Sequence, residues 1–436
     1  MDPALLAALI LFLGVAVLLI IGAPISVSVG FASVLAVFSI LDFDNGLLTA
    51  AQRMFTGMNS FALLAIPFFI LAGVIMNNGG IAIRLVNCAK VLSGRLPGSL
   101  AHTNVVANMM FGSISGSAVA AAAAVGGTMA PLQEKEGYDR TFSAAVNIAS
   151  APTGMLIPPS NTLIVYSLVS GGTSIAALFM AGYLPGILWG LGCMAVAFIL
   201  AKKYGYKHDD GVTFKLALKV FLDAIPSLLL IVIVIGGIIG GVFTATEGSA
   251  IAVVYSLLLS FIYRTIKIKD LPRILLESTR TTAIVIFLIG VSSIMSWVMA
   301  FTNIPGIIAD ALLGLTDNMF LILLIMNIVL LIVGTFMDPT PAVLIFTPIF
   351  LPIAQSFGID PVHFGIMVVF NLSIGTITPP VGPVLFVGTK VAKLRIEQVV
   401  KPLLPFFVVT VAVLMLVTYI PSLSLYIPEL FGLMGN

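Results

Sequence analysis

The side chains able to do chemistry here are mostly hydroxyls, gathered in two short stretches. Ser113, Ser115 and Ser117 lie in Phe111-Gly-Ser-Ile-Ser-Gly-Ser117, with Thr128 further along; Thr335, Asp338 and Thr340 lie in Gly334-Thr-Phe-Met-Asp-Pro-Thr-Pro341. Hydroxyls and unwound backbone carbonyls are hard oxygen donors, which suit a hard cation such as Na⁺. Downstream of each stretch is a proline-rich one, Asn147 to Asn161 (NIASAPTGMLIPPSN) and Asn371 to Gly382 (NLSIGTITPPVG). A half-helix restarting after such a break points its positive end at an anion. Asn147, Ser150, Pro158, Asn161, Asn371, Thr376 and Pro379 are therefore candidates for contact with a carboxylate. Two plainer readings stand beside these. Small hydroxyl residues also let membrane helices pack closely, and Asp338 before Pro339 suits an N-cap.

Both proline-rich stretches sit in apolar segments long enough to cross a bilayer, at 141–169 and 362–389. Proline removes a backbone donor and clashes with the preceding turn, so each helix must break there. In hydrocarbon a break survives only where the freed groups face protein, water or an ion. The two stretches are twins. One ungapped offset carries Gly154 onto Gly375, Pro158-Pro159 onto Pro379-Pro380, Pro131 onto Pro352, Gly137 onto Gly358 and Asp139 onto Asp360. Two halves, each with one interrupted helix in a corresponding place, is a sequence sign of a transporter binding site.

The elements that position these residues follow from composition. With 60% hydrophobic and 9% charged residues, the chain is a polytopic, all-α integral membrane protein. Spans are expected near 4–21, 24–41, 60–78, 174–201, 222–243, 247–263, 281–301 and 402–420. The two broken helices bring the number to about ten. Segments 101–132 and 319–352 read as re-entrant hairpins, because turn-forming residues cluster in their middles and each arm is short for a core of about 30 Å. With the N-terminus outside, 19 of the 20 Lys and Arg residues fall in cytoplasmic loops, Arg53 being the exception. That one-sidedness obeys the positive-inside rule and supports the hairpins, since a full span at either place would flip every loop beyond it. It also makes the halves inverted repeats: 1–201 and 222–436, joined by a cytoplasmic linker at 202–221, with both termini periplasmic.

Other chemistries find little footing. Cys88 and Cys193 give neither a disulfide framework nor a metal cluster. His102, His208 and His363 are scattered, no phosphate-binding loop is present, and Gly112-Ser-Ile-Ser-Gly116 lacks the spacing of a serine nucleophile elbow. No chain of ionisable groups crosses the membrane as a proton relay would need, and a net charge of +2 says nothing of nucleic acid. The Met-Asp-Pro start lacks a basic n-region, so the first apolar run reads as a retained span. No ring of charge suggests a channel.

Arg95-Leu-Pro-Gly-Ser-Leu-Ala101, the Phe-Gly-Ser-Ile-Ser-Gly-Ser hairpin, Glu136-Gly-Tyr-Asp-Arg140, Leu156-Ile-Pro-Pro-Ser160 and Thr244-Ala-Thr-Glu247 together resemble the large membrane subunit of tripartite ATP-independent periplasmic (TRAP) transporters, over essentially the whole chain. The resemblance implies a bacterial or archaeal inner-membrane Na⁺ symporter for carboxylate-bearing solutes. It implies an elevator mechanism, a soluble periplasmic substrate-binding protein and a small four-helix membrane subunit on a separate chain. It implies ion ligands from the hairpin tips and broken helices, matching Ser113, Ser115, Ser117 and Gly154 in one half and Gly334, Thr335, Asp338, Gly375 and Thr378 in the other. Two Na⁺ ions, one per half, are expected. The neighbouring class is a self-sufficient Na⁺/anion symporter with the same two-hairpin plan. Dicarboxylates, keto acids, sugar acids and sialic acids would all use similar backbone ends.

The charge pattern generates a topological test. In a background without Cys88 and Cys193, single cysteines at Thr316 and Asn436 should react with an impermeant thiol reagent from the periplasm. One at Lys203 should stay unlabelled in intact cells; its labelling from outside would overturn the inverted arrangement.

Overall fold

The computed structural model describes residues 3–93, 97–206, 214–314, 316, 318–379 and 382–434. Met1, Asp2, Arg95, Leu96, His208, Pro380, Val381 and Asn436, which figure in the readings above, lie outside the described residues. The described chain is helical with no strand. The first half comprises α1 (Pro3–Ile20), α2 (Ile25–Phe38), α3 (Phe43–Met58), α4 (Ala65–Asn78), α5 (Ile81–Ser93), α6 (Ser99–Ser115), α7 (Ala118–Lys135), α8 (Arg140–Ser150), α9 (Asn161–Val169) and α10 (Ile175–Tyr204). The second comprises α11 (Phe214–Ile239), α12 (Ala245–Ile262), α13 (Leu271–Phe301), α14 (Ile304–Leu313), α15 (Met319–Gly334), α16 (Pro339–Ser356), α17 (Pro361–Gly375), α18 (Pro383–Ala392), α19 (Ile396–Tyr419) and α20 (Ser422–Leu430). Among the described residues, seven helical stretches are long and apolar enough to cross a membrane.

The repeated residues act as punctuation. Gly137 (φ +79°) and Gly358 (φ +75°) stop α7 and α16 in the left-handed conformation that a side chain would oppose. The next amides turn back, Tyr138 N–H donating to Gln133 O at 2.9 Å and Ile359 N–H to Ala354 O at 3.1 Å, as helix-terminating motifs do. Asp139 then caps α8, accepting from the Thr141 and Phe142 amides. Asp360 caps α17 by accepting from Val362 N–H. The offset that aligns these residues also carries the start of α7 onto that of α16, α8 onto α17 and α10 onto α19.

Several segments between the expected spans are helices rather than loops. α3 and α5 cover most of the stretches around α4, α14 follows α13, and α20 follows α19. They escape a span criterion because they are short or polar on one side: α3 exposes Phe43, Leu47, Leu48 and Phe55 yet carries Asp44, Asn45, Gln52 and Arg53. The linker is shorter than expected, since α10 runs to Tyr204 and α11 begins at Phe214.

Each hairpin packs its first arm on the broken helix of its own half, α6 on α8 and α15 on α17. The second arms pack on α8 and α17 of their own halves and also reach across: α7 packs on α18, and α16 on α9. The own-half contacts are backbone against backbone. A Cβ on Gly112 of α6 would lie 2.7 Å from Gly154 Cα, and one on Gly334 of α15 would lie 3.1 Å from Gly375 Cα. Gly112→Ala should therefore destabilise the protein by about 1–3 kcal/mol, as overpacking does. Gly236→Ala, whose added carbon meets nothing within 4 Å, should have little effect. Thermal unfolding in detergent checks the pair.

Candidate functional site

The sequence breaks its helices at two places, and both breaks are lined with internal donors. At the first, Thr153 Oγ1 donates to Ser150 O (2.7 Å) and Ser160 Oγ to Met155 O (2.5 Å). The Trp189 indole of α10 donates to Ala149 O (2.8 Å) while its ring stacks on Phe370 of α17, 4.6 Å between centroids. The Pro158-Pro159 peptide in this loop is cis. At the second, Thr376 Oγ1 donates to Ser373 O (2.6 Å) and Thr378 Oγ1 to Ile374 O (2.8 Å). Thr376 O in turn accepts from the Val384 and Leu385 amides, 3.0 and 3.3 Å. The opening amides of α18 are thus partly engaged by the chain itself.

Buried amides tie each hairpin to its broken helix. Asn108 Nδ2 of α6 reaches Asn147 Oδ1 (3.1 Å) and Ser150 Oγ (2.8 Å) on α8. In the other half Asn371 Nδ2 of α17 donates to Asn327 O (2.9 Å) and Asn327 Oδ1 (2.8 Å) on α15. Asn108 and Asn327 were not among the candidates. Their signal was present in the sequence, since an amide inside an apolar segment needs a partner.

Between the two tips lies a cavity of about 480 Å³. One side carries Ser115, Gly116, Ser117 and Ala118 from the first tip, Asn161 and Thr162 at the start of α9, Asp338 and Thr340 at the second tip, Thr376 and Val384. The opposite side is α4 and α13, contributing Ile66, Ile70, Gly73, Asn77, Glu277, Thr281 and Val285. The first turns of α7, α9, α16 and α18 therefore converge on one space, which gathers four positive helix ends. The tips are built for this. Gly116 (φ +60°) ends α6, and Ser117 caps α7 by accepting from Ala120 N–H at 3.3 Å.

Of the candidates, Ser115, Ser117, Asn161, Thr376 and Asp338 line this cavity. Asp338 occupies the N-cap position of α16 without a side-chain cap bond. It opens to the cavity. Ser113 Oγ donates to Met110 O (2.8 Å) and Thr335 Oγ1 to Ile332 O (2.7 Å). Gly154, Gly334 and Gly375 sit at the backbone crossings. Ser150 and Asn371 are wholly buried in the hairpin contacts, Asn147 lines a second cavity, Pro158 is buried in the first break, and Pro379 is exposed beyond the second. Glu277, Thr281, Asn77 and Thr162 were missed: the first three belong to unbroken helices, and Thr162 lies one residue past the proline-rich stretch. Among the described residues no cluster of three His, Cys, Asp or Glu could hold a metal.

Comparison with known proteins agrees with this architecture. Residues 12–423 match the family described as the DctM component of the tripartite ATP-independent periplasmic transporters. The chain is 57% identical to the uncharacterized protein YgiK of Salmonella typhimurium, over 97% of this chain and 98% of that one. It is 38% identical to the sialic acid TRAP transporter large permease protein SiaM of Vibrio cholerae, covering 95% and 96%. It is 36% identical to the C4-dicarboxylate TRAP transporter large permease protein DctM of Rhodobacter capsulatus, covering 98% and 100%. The fold is that of the Alcanivorax borkumensis YdaH transporter, with a TM-score of 0.65 at 14% identity, covering 96% and 98%. The chain is a multi-pass inner-membrane transporter permease rather than an enzyme, and it belongs to the DctM family of TRAP transporters.

Proposed function

We propose that the chain is the large permease subunit for Na⁺-coupled uptake of a carboxylate-bearing solute, delivered by a periplasmic substrate-binding protein. A small four-helix membrane subunit, on a separate chain, completes the assembly. The observation that carries the reading is the convergence of the first turns of α7, α9, α16 and α18 on the central cavity. Backbone amides at helix starts favour a carboxylate without needing a basic side chain. Relatives named for sialic acid and C4-dicarboxylates fit a solute of that class.

Asp338 supports the cation. It has no hydrogen-bond or ion-pair partner among the described residues, and a carboxylate near mid-bilayer costs roughly 2.5–3.5 kcal/mol. A Na⁺ ion beside it, with hydroxyl and carbonyl oxygens of the second tip and break, offsets that cost. The Thr335, Thr376 and Thr378 hydroxyls already give their protons to carbonyls, which leaves oxygen lone pairs to face an ion. The first half offers Ser113, Ser115 and Ser117 with the Gly154 carbonyl for a second Na⁺. Two Na⁺ with a monoanion move one net charge inward, which gains roughly 2.3 kcal/mol per 100 mV. That is a concentrating factor of roughly fifty. A dianion would leave only the Na⁺ gradient to drive the cycle. In an elevator, the hairpins and broken helices would carry the site past the α4 and α13 side of the cavity.

Uptake into proteoliposomes holding the small subunit and the loaded binding protein, measured against Na⁺ at fixed membrane potential, tests this. Ser117→Ala and Thr335→Ala should each raise the Na⁺ concentration needed for half-maximal uptake. Asp338→Asn should reduce uptake more strongly. Transport that ignores Na⁺ removal but follows a proton gradient would end the proposal. Robust uptake of free solute by this chain alone would move it to the self-sufficient symporters.

A further inference from the structure

A second cavity, of about 280 Å³, lies between the base of the first hairpin, α8 and the end of α18. Asn104, Gly127, Ser143, Asn147, Arg140 and Lys393 are among its lining residues. It runs along the same α7–α18 seam as the central cavity, towards the ends of the helices that carry the positive charge. The residues of the two cavities do not overlap.

A chain of hydrogen bonds fixes what the cavity offers. Asn147 Nδ2 donates to the Ala122 carbonyl (2.9 Å), which can only accept. Its Oδ1 therefore faces Asn108, which must present Nδ2 (3.1 Å). Asn108 Nδ2 also meets Asn104 Oδ1 (2.9 Å). Asn104, 1% exposed, is left with an N–H group that has no acceptor. One turn before Asn147 on α8, the Ser143 hydroxyl is 6% exposed and likewise without a partner. A buried donor left unpaired is costly, and native proteins rarely keep one without an occupant. Of the charged groups at the rim, Arg140 pairs with Glu134, and Lys393 adds a further positive charge. Unpaired donors under a net positive rim select an acceptor with negative charge.

We propose that this cavity binds a small oxyanion group, a carboxylate or a phosphate, through Asn104 Nδ2, Ser143 Oγ and the Lys393 ammonium. Its walls come from both halves of the chain, so an occupant ties α7 and α8 to α18. The site is independent of the transported solute's own cavity.

Gly127 gives a local reporter. It faces the cavity, and a Cβ there meets nothing within 4 Å. The full chain, with Cys88 and Cys193 replaced and Gly127→Cys introduced, would be reconstituted in nanodiscs of zwitterionic lipid and labelled with a small thiol reagent. Inorganic phosphate or acetate should slow labelling saturably, beyond sodium chloride of equal ionic strength. Ser143→Ala should weaken that protection about tenfold, the loss expected for one hydrogen bond to a charged group. Thr340→Val, in the central cavity, should leave it unchanged. If free anions do nothing but nanodiscs with anionic phosphatidylglycerol protect the cysteine in a Ser143-dependent way, the occupant is a lipid headgroup and the site stands. Labelling that neither free oxyanion nor anionic lipid slows beyond chloride would overturn it, as would protection unaltered by Ser143→Ala.

Discussion

Backbone carbonyls released by a broken helix cannot be left bare inside a membrane. The rest of the structure follows from how this chain meets that requirement twice. Hydroxyls close to each break donate into it: Thr153 and Ser160 in the first half, Thr376 and Thr378 in the second. Trp189 reaches across from α10 to cover one carbonyl more. These donors hold the breaks in fixed shapes, so that the half-helices after them start at defined points around the central cavity. Glycine contacts bring the hairpins against the same breaks at backbone distance. The two devices together fix the tips relative to the breaks.

The halves share a plan but differ in chemistry. The first tip is uncharged, with serine hydroxyls and a glycine-ended helix. The second carries a carboxylate at its cap position that makes no cap bond. A charged and a neutral oxygen set should differ in affinity for the same cation, so the halves need not load at one concentration. Closure of α18 on Thr376 O is a second asymmetry. It leaves α7 and α9 as the helix starts with more free amides, since α16 opens Pro339-Thr-Pro341 and offers only the Thr340 N–H there.

Much of the architecture was legible because its signals are local. Gly137 and Asp139 with Gly358 and Asp360 mark a helix stop and start in each half, and proline marks the breaks. Short helices such as α3 and α5 were not, because amphipathic segments below spanning length look like loops to a hydropathy count. Site residues divided along similar lines. Ser115, Ser117, Asn161, Thr376 and Asp338 sit at punctuated positions and line the cavity. Glu277 and Thr281 belong to an unbroken helix, and only its packing opposite the tips brings them there. Asn104 was invisible for a different reason: its unpaired group is defined by three neighbours, one on the next turn of α6 and two on other helices.

The crossing of second arms, α7 on α18 and α16 on α9, bears on how the protein is made. When the first half leaves the ribosome, its second hairpin arm and α9 have only part of their packing, α7 on α6 and α8 and α9 on α4 and α10. The rest, α18 for α7 and α16 for α9, arrives only with the other half, which at about 5–20 residues per second means a wait of tens of seconds. During that interval α7, rich in alanine and glycine and carrying Pro131 within the helix, must persist in the membrane with its α18 face uncovered. Biogenesis therefore depends on something that shelters a half-finished core, whether the insertion machinery or the scaffold helices α1 to α5 already in place. Lesions at the α7–α18 and α9–α16 seams would then appear as lost protein in the membrane before they appeared as altered transport.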